Sequence, residues 1–196
     1  VTANPAPERG LGVDMEWDSG SLKVVDRKFL IANPWAYDEV LPLILNHLYE
    51  LSGYYPGFSE WLNQKVVPGL VTGERAILLE HSRGKLSGLA IIKDDAVEKK
   101  LCCLRVLPPF QGTGVGLKLF ERSFDELKND APLLSIAEEQ KHVFEKLFKY
   151  YGFELAKKYH SYYRPKKDEL SFNGLIEPEP LFKRSVGRPR KLIFST

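Results

Sequence analysis

The residues best placed to do chemistry lie in one stretch, Leu104-Arg-Val-Leu-Pro-Pro-Phe-Gln-Gly-Thr-Gly-Val-Gly-Leu-Lys118. A strand here runs into a loop in which Gly112, Gly114 and Gly116 let successive backbone N–H groups face one point at the start of a helix. Such a concavity, backed by the helix dipole, favours a phosphate or pyrophosphate. Spacing narrows the choice of ligand. A dinucleotide fold asks for Gly-x-Gly-x-x-Gly, and counting from Gly112 the third glycine position is Leu117; a P-loop asks for Gly-x-x-x-x-Gly-Lys and fails at the same residue.

Gln111, Gly114 and Gly116 instead match the Gln-x-x-Gly-x-Gly signature, and the segment resembles that of the GNAT superfamily of acyl-CoA-dependent N-acyltransferases. The resemblance covers roughly residues 21–174, and Tyr151-Gly152-Phe153 at the end of the next helix resembles that family's second CoA-binding motif. It implies a mixed, mostly antiparallel sheet of about seven strands flanked by about four helices, acetyl-CoA (coenzyme A) as cofactor, and acetyl transfer to a primary amine by direct attack in a ternary complex. It also implies that the backbone of Gln111, Gly112, Thr113, Gly114, Val115 and Gly116 holds the pyrophosphate. The strand edge at Leu104, Arg105 and Val106 would pair with the pantetheine amides and then part from the next strand. An N–H near Leu104 would stabilise the developing oxyanion.

The family's acid and base positions are changed in this chain. Where many members carry a tyrosine four residues before the Gly of Gly-Phe, this chain has Phe148. Where the histone-lysine branch carries a glutamate on the fourth strand, it has Lys100, and at the usual asparagine of the second motif it has Lys141. Glu98 lies on the same strand face as Lys100, displaced by roughly 6.6 Å. The candidates to deprotonate an ammonium are therefore Glu98, Glu138 and Glu139, with His142 after them, and Tyr150 or Tyr151 could protonate the leaving sulfur. In this fold the acceptor lies between the first helical pair and the final hairpin. That places Tyr54, Tyr55, Phe58 and Trp61 opposite Tyr159, His160, Tyr162 and Tyr163, where they serve either the acceptor cleft or a small aromatic core. The alternative to an enzyme is a catalytically degenerate CoA-binding sensor or interaction module.

The pattern along the chain is α+β, in the order βααβββαβαββ. Residues 1–20, with Pro5, Pro7, Gly10 and Gly12, read as a flexible lead-in; 21–174 form the domain; 175–196 form a basic tail. A first strand is expected within Ser21–Ile31, interrupted at Asp26-Arg27-Lys28. A helix follows over Leu41–Leu51, restarting or kinking at Pro42, and a second short helix closes at Pro68-Gly69. Arg75–His81, Leu86–Lys93 and Lys99–Leu107 read as an antiparallel meander. A helix then runs from the glycine turn to about Lys128, a short strand over Leu133–Ala137, a helix ending in a Schellman stop at Gly152, and a final hairpin to Phe172.

Composition bounds what remains. The 196 residues carry 28 basic and 26 acidic side chains, a formal charge of +2, and 43% hydrophobic residues. That excludes a histone-like or polyacidic chain, and no window approaches the roughly 20 apolar residues of a membrane span. The last 22 residues hold +3 and residues 1–174 hold −1. Within the tail, Val186-Gly187-Arg188-Pro189-Arg190-Lys191 resembles the Gly-Arg-Pro core of AT-hook peptides, so the 183–191 region is a candidate nucleic-acid contact. The only cysteines, Cys102 and Cys103, are adjacent on a strand and should point to opposite faces. With no cysteine framework or apolar leader, a cytoplasmic compartment is expected. The four scattered histidines offer no metal-ligand spacing. The reading is compatible with a monomer or a homodimer.

Overall fold

The computed structural model describes residues 22–53 and 55–176. The lead-in, Tyr54 and the basic tail from residue 177 lie outside the described residues. Seven strands form one sheet: β1 (Val24–Val25), β2 (Arg75–Ser82), β3 (Lys85–Asp94), β4 (Lys99–Val106), β5 (Leu133–Ala137), β6 (Leu155–His160) and β7 (Asp168–Phe172). Their order is β1-β2-β3-β4-β5-β7-β6, antiparallel throughout except for the β4/β5 pair. The strand sequence and the meander agree with the expected pattern.

The helical region before β2 differs from expectation. Only Val24–Val25 of the first apolar run is strand, because the Asp26 carboxylate accepts the Phe29 N–H at 2.8 Å and starts helix α1 (Arg27–Ala32). The Leu41–Leu51 run is preceded by α2 (Ala36–Glu39) and is itself divided into α3 (Leu41–Asn46), with Pro42 in its first turn, and a 3₁₀ turn over Tyr49–Gly53. Pro68-Gly69 closes nothing. Helix α4 (Phe58–Trp61) continues through a wide turn, Leu62–Val66, into α5 (Val67–Thr72). In that turn the Val67 N–H reaches back to Leu62, so the i to i−4 ladder is already broken when Pro68 arrives without an N–H. The run stops at Gly73, which takes φ +91°.

Alternation along the strands divides the sheet into two faces. One face packs Val25, Ile77, Leu79, Leu89 and Ile91 against α1–α5. The other packs Leu78, Ala90, Ile92, Leu101, Leu134, Ile136, Leu170 and Phe172 against α6 (Val115–Leu127) and α7 (Lys141–Tyr151). The helix α7 ends as expected, with Gly152 left-handed and the Phe153 N–H donating to Phe148 O at 2.8 Å.

One irregularity controls the middle of the sheet. The β3/β4 register shifts between Ile91 and Ile92, so that Ile92 opposes Leu101, Ile91 opposes Cys103, and Cys102 is the extra residue of a β-bulge. The two cysteines therefore do not face opposite sides: both pack against the core beneath α1–α5, and neither is in a disulfide.

The approach of α6 to the sheet depends on Gly88. A Cβ there would lie 2.9 Å from Arg105 O, Leu119 Cδ1 and Val115 Cγ1. Gly88→Ala is expected to cost about 1–3 kcal/mol by overpacking, read as a lower urea midpoint. Gly53→Ala, with nothing within 4 Å of its added methyl, should leave the midpoint unchanged.

Candidate active site

The glycine loop leaves β4 at Val106, passes a 3₁₀ turn over Pro108–Phe110, and enters α6 through Gly114. Gly112 and Gly114 take φ +74° and +87°, values that L side chains resist. Thr113 fixes the turn, its hydroxyl donating to Phe110 O at 2.6 Å. The first bond of the α6 ladder runs from the Lys118 N–H to Gly114 O at 3.1 Å, so the N–H groups of Val115, Gly116 and Leu117 precede it and have no partner within the helix. Gly116 closes the approach to β4: a Cβ there would come 3.3 Å from Val106 Cγ2. The residues read from sequence as an anion cradle are thus gathered at one helix N-terminus.

Beside this loop the sheet opens. Strands β4 and β5 are in register only at Lys100/Leu133 and Leu101/Leu134. The bulge residue Cys102 follows at once, and bulges bend the strand that holds them. From there Cys102–Val106 and Ser135–Ala137 form the two walls of a cavity of about 460 Å³. Gln111 lies at its outer end, Phe144 and Phe148 on the α7 side, and Tyr55, Phe58, Trp61 and Tyr163 on the opposite side. This gap with a glycine-lined helix N-terminus at its mouth fits a long, thin ligand bearing phosphate at one end. Leu104, Arg105 and Val106 lie along one wall of the cavity.

On the α1–α5 side the cavity is edged by polar groups, of which Lys100 and Ser135 line it and Glu169 lies behind Ser135. The face that packs under α1–α5 continues onto β4, β5 and β7 as Lys100, Ser135, Glu169 and Ser171, all of them at least partly buried. Glu169 is 3% exposed. Ser135 hydrogen-bonds its carboxyl, while its Oε1 is buried with no hydrogen-bond partner. Burial pushes this carboxyl up to about 7, against the pull of the Ser135 bond and of the Arg164 and Lys100 charges. Ser135 also bonds the Tyr163 hydroxyl, and Tyr55 meets the Ala137 backbone. Burial holds both phenols well above their ordinary range, so they stand as protonated hydroxyls. The two rings meet edge to face, with centroids 5.3 Å apart.

The acid and base candidates taken from sequence are placed elsewhere. Glu98 sits in the β3–β4 hairpin, tied to Lys93 at 2.8 Å, and is not among the residues lining the cavity. Glu138 pairs with Lys158 at 2.8 Å and Glu139 with Arg164 at 2.6 Å, both outside the cavity wall. The Tyr151 hydroxyl donates to Glu121 Oε1 at 2.7 Å, and burial together with that carboxylate raises it to about 12. Tyr150 is 80% exposed and His142 is exposed on the first turn of α7. Phe148, at the expected tyrosine position, lines the cavity, stacks with Phe144 and Phe153 and meets Phe172 at a tilt. Of the aromatic acceptor candidates, Tyr55 and Trp61 line the cavity; Tyr162 stands behind Tyr163 at 4.6 Å between centroids; Tyr54 lies outside the described residues. Sequence reasoning missed Ser135 and Glu169. Period-2 alternation puts Glu169 and Ser171 on one face, but nothing in the sequence says which face is buried or which strand lies alongside.

Among the described residues no group of three His, Cys, Asp or Glu side chains could hold a metal, and no helix is long and apolar enough to cross a membrane. No protein-family model and no curated protein matches the sequence. Solved structures do match. A GNAT-family protein from Desulfovibrio desulfuricans is 14% identical, with a TM-score of 0.53 over 66% of this chain and 88% of its own. A GNAT family acetyltransferase from Elizabethkingia anophelis, solved with acetyl-CoA bound, is 13% identical, with a TM-score of 0.50 over 63% of this chain and 87% of its own. At this identity the likeness concerns the fold, and the fold is that of the GNAT superfamily.

The Glu169 carboxyl has a consequence for stability. Its folded value lies above the ordinary carboxyl value of 4.5, so the native state keeps a proton that the unfolded chain releases. The associated stability is complete below about pH 4.5 and is lost as pH rises through about 7. Glu169→Gln removes this dependence. Relative to wild type, the variant should gain roughly 2 kcal/mol between pH 5 and pH 8, measured by denaturant titration at both values.

Proposed function

We propose that this GNAT-fold chain is an acyl-CoA-dependent N-acetyltransferase that moves an acetyl group from acetyl-CoA to a primary amine by direct attack in a ternary complex. The observation that carries the reading is the parting of β4 from β5 immediately beside the glycine-lined N-terminus of α6. Acetyl-CoA supplies an activated acyl thioester. The backbone N–H groups between Gln111 and Gly116 bind its pyrophosphate, because a helix N-terminus offers unpaired donors and a favourable dipole. The exposed edge at Leu104, Arg105 and Val106 orients the pantetheine arm. An N–H near Leu104 stabilises charge developing on the thioester oxygen.

The amine enters from the opposite side, between Tyr55, Trp61 and Tyr163, whose rings exclude water while the Tyr163 hydroxyl reaches Ser135. Direct attack is favoured over an acyl-cysteine because burial raises the Cys103 thiol to about 12, leaving almost no thiolate near neutral pH. With Phe148 at the family's tyrosine position, proton transfer to sulfur falls to water or to the attacking nitrogen.

Calorimetry should give saturable acetyl-CoA binding, and a thiol-release assay across peptides, polyamines and aminoacyl-tRNA should identify an acceptor. Gly114→Val, which forces a β-branched residue to φ +87°, should weaken acetyl-CoA binding by roughly tenfold or more through backbone strain at the cradle. Absence of binding at millimolar acetyl-CoA, or binding indifferent to Gly114→Val, overturns the assignment.

A further inference from the structure

We propose that Glu169, acting through Ser135 and the Tyr163 hydroxyl, is the proton acceptor for the incoming ammonium. This rests on the N-acetyltransferase reading of the cavity. A primary amine is almost wholly protonated near neutral pH and must lose a proton before its nitrogen can attack. Every carboxylate that the sequence nominates for that task is held by a cation: Glu98 by Lys93, Glu138 by Lys158, Glu139 by Arg164. On Glu169's own strand, Asp168 is held by Lys158 and His160. Glu169 differs from all of them. It is buried on the acceptor side, one carboxylate oxygen has no partner, and its hydrogen bond runs to Ser135, which lines the cavity together with Tyr163. A buried polar atom left without a partner requires an explanation, and a site that receives a proton supplies one.

Register explains the connection. Ala137 pairs with Glu169 and Ser135 with Ser171, so Ser135 and Glu169 are diagonal neighbours on one face of adjacent antiparallel strands. The groups facing the carboxyl are Lys100 from β4, Ser135 from β5, Glu139 from the β5–α7 connection, Tyr163 and Arg164 from the β6–β7 loop, and Tyr55 from the turn before α4. The step is balanced. The ammonium gives one proton through the hydroxyls to Glu169, and the free amine forms a bond to the thioester carbonyl carbon. The C–S bond breaks, the surplus proton on nitrogen passes to sulfur to give the thiol, and Glu169 later returns its proton to solvent.

The test begins with carbon-13 detection of glutamate carboxyls in the full chain, the Glu169 signal being identified by its loss in Glu169→Gln. It should titrate near pH 7, and Ser135→Ala, which removes a bond favouring the charged form, should move it higher. With the best acceptor found by thiol release, Glu169→Gln should retain acetyl-CoA affinity and lose roughly 10²-fold in kcat/KM at pH 7. It should also lose one unit of slope in the pH–rate profile below pH 7, leaving only the acceptor's own ionisation. Glu169→Asp should restore part of that slope, and Ser135→Ala should lower the rate in a folded protein. Titration of Glu169 in the ordinary carboxylate range, or a Glu169→Gln profile matching wild type, overturns the inference. Failure of wild type to bind acetyl-CoA overturns the reading beneath it instead.

Discussion

The parting of β4 from β5 after two paired residues is the constraint on which the site depends. Continued pairing would satisfy the backbone of both strands and fill the space with their own side chains. The bulge at Cys102 prevents this by bending β4 just beyond Leu101, its last residue in register with β5. Two strand edges then face one another across an open gap, bridged in part by side chains: the Gln111 amide donates to Val106 O and Tyr55 meets the Ala137 backbone. The same bend carries the end of β4 towards the glycine loop, so one irregularity opens the gap and aims its mouth.

The two sides of the gap are built differently. On the α7 side Phe148 belongs to an aromatic cluster with Phe120, Phe144, Phe153 and Phe172, and the Schellman stop at Gly152 seats Phe153 in the same cluster. A tyrosine hydroxyl at that position would need its own partner, and none of these rings supplies one. On the α1–α5 side Lys100, Ser135, Tyr55 and Tyr163 line the cavity, with the Glu169 carboxyl buried behind Ser135. The buried carboxyl therefore lies on the side away from α7, whose aromatic cluster holds that helix on the sheet.

Ion pairing accounts for the remaining sequence candidates. Glu98, Glu138 and Glu139 look alike in sequence as bases near strand ends, yet each lies within about 3 Å of a cation. The half-exposed Glu138–Lys158 pair adds little stability. All three pairs also occupy the carboxylates, which removes them as proton acceptors for a substrate in the cleft.

Local chemistry made much of this protein legible from its sequence. Glycines at 112, 114 and 116, the strand before them and the helix after them are short-range features, and the glycine turn into α6 follows from backbone conformation alone. Apolar alternation likewise settled the meander, and Tyr151-Gly152-Phe153 the end of α7. Errors arose where a local signal had a competitor: Asp26 capped a helix inside an apparent strand, and a wide helical turn absorbed Pro68. The bulge at Cys102, the buried Glu169 and its contact with Ser135 were decided only by the tertiary structure. A bulge depends on the partner strand's register. A carboxyl's protonation depends on how completely distant segments, here β4, β5 and the β6–β7 loop, exclude water from it, and no spacing within one segment encodes that.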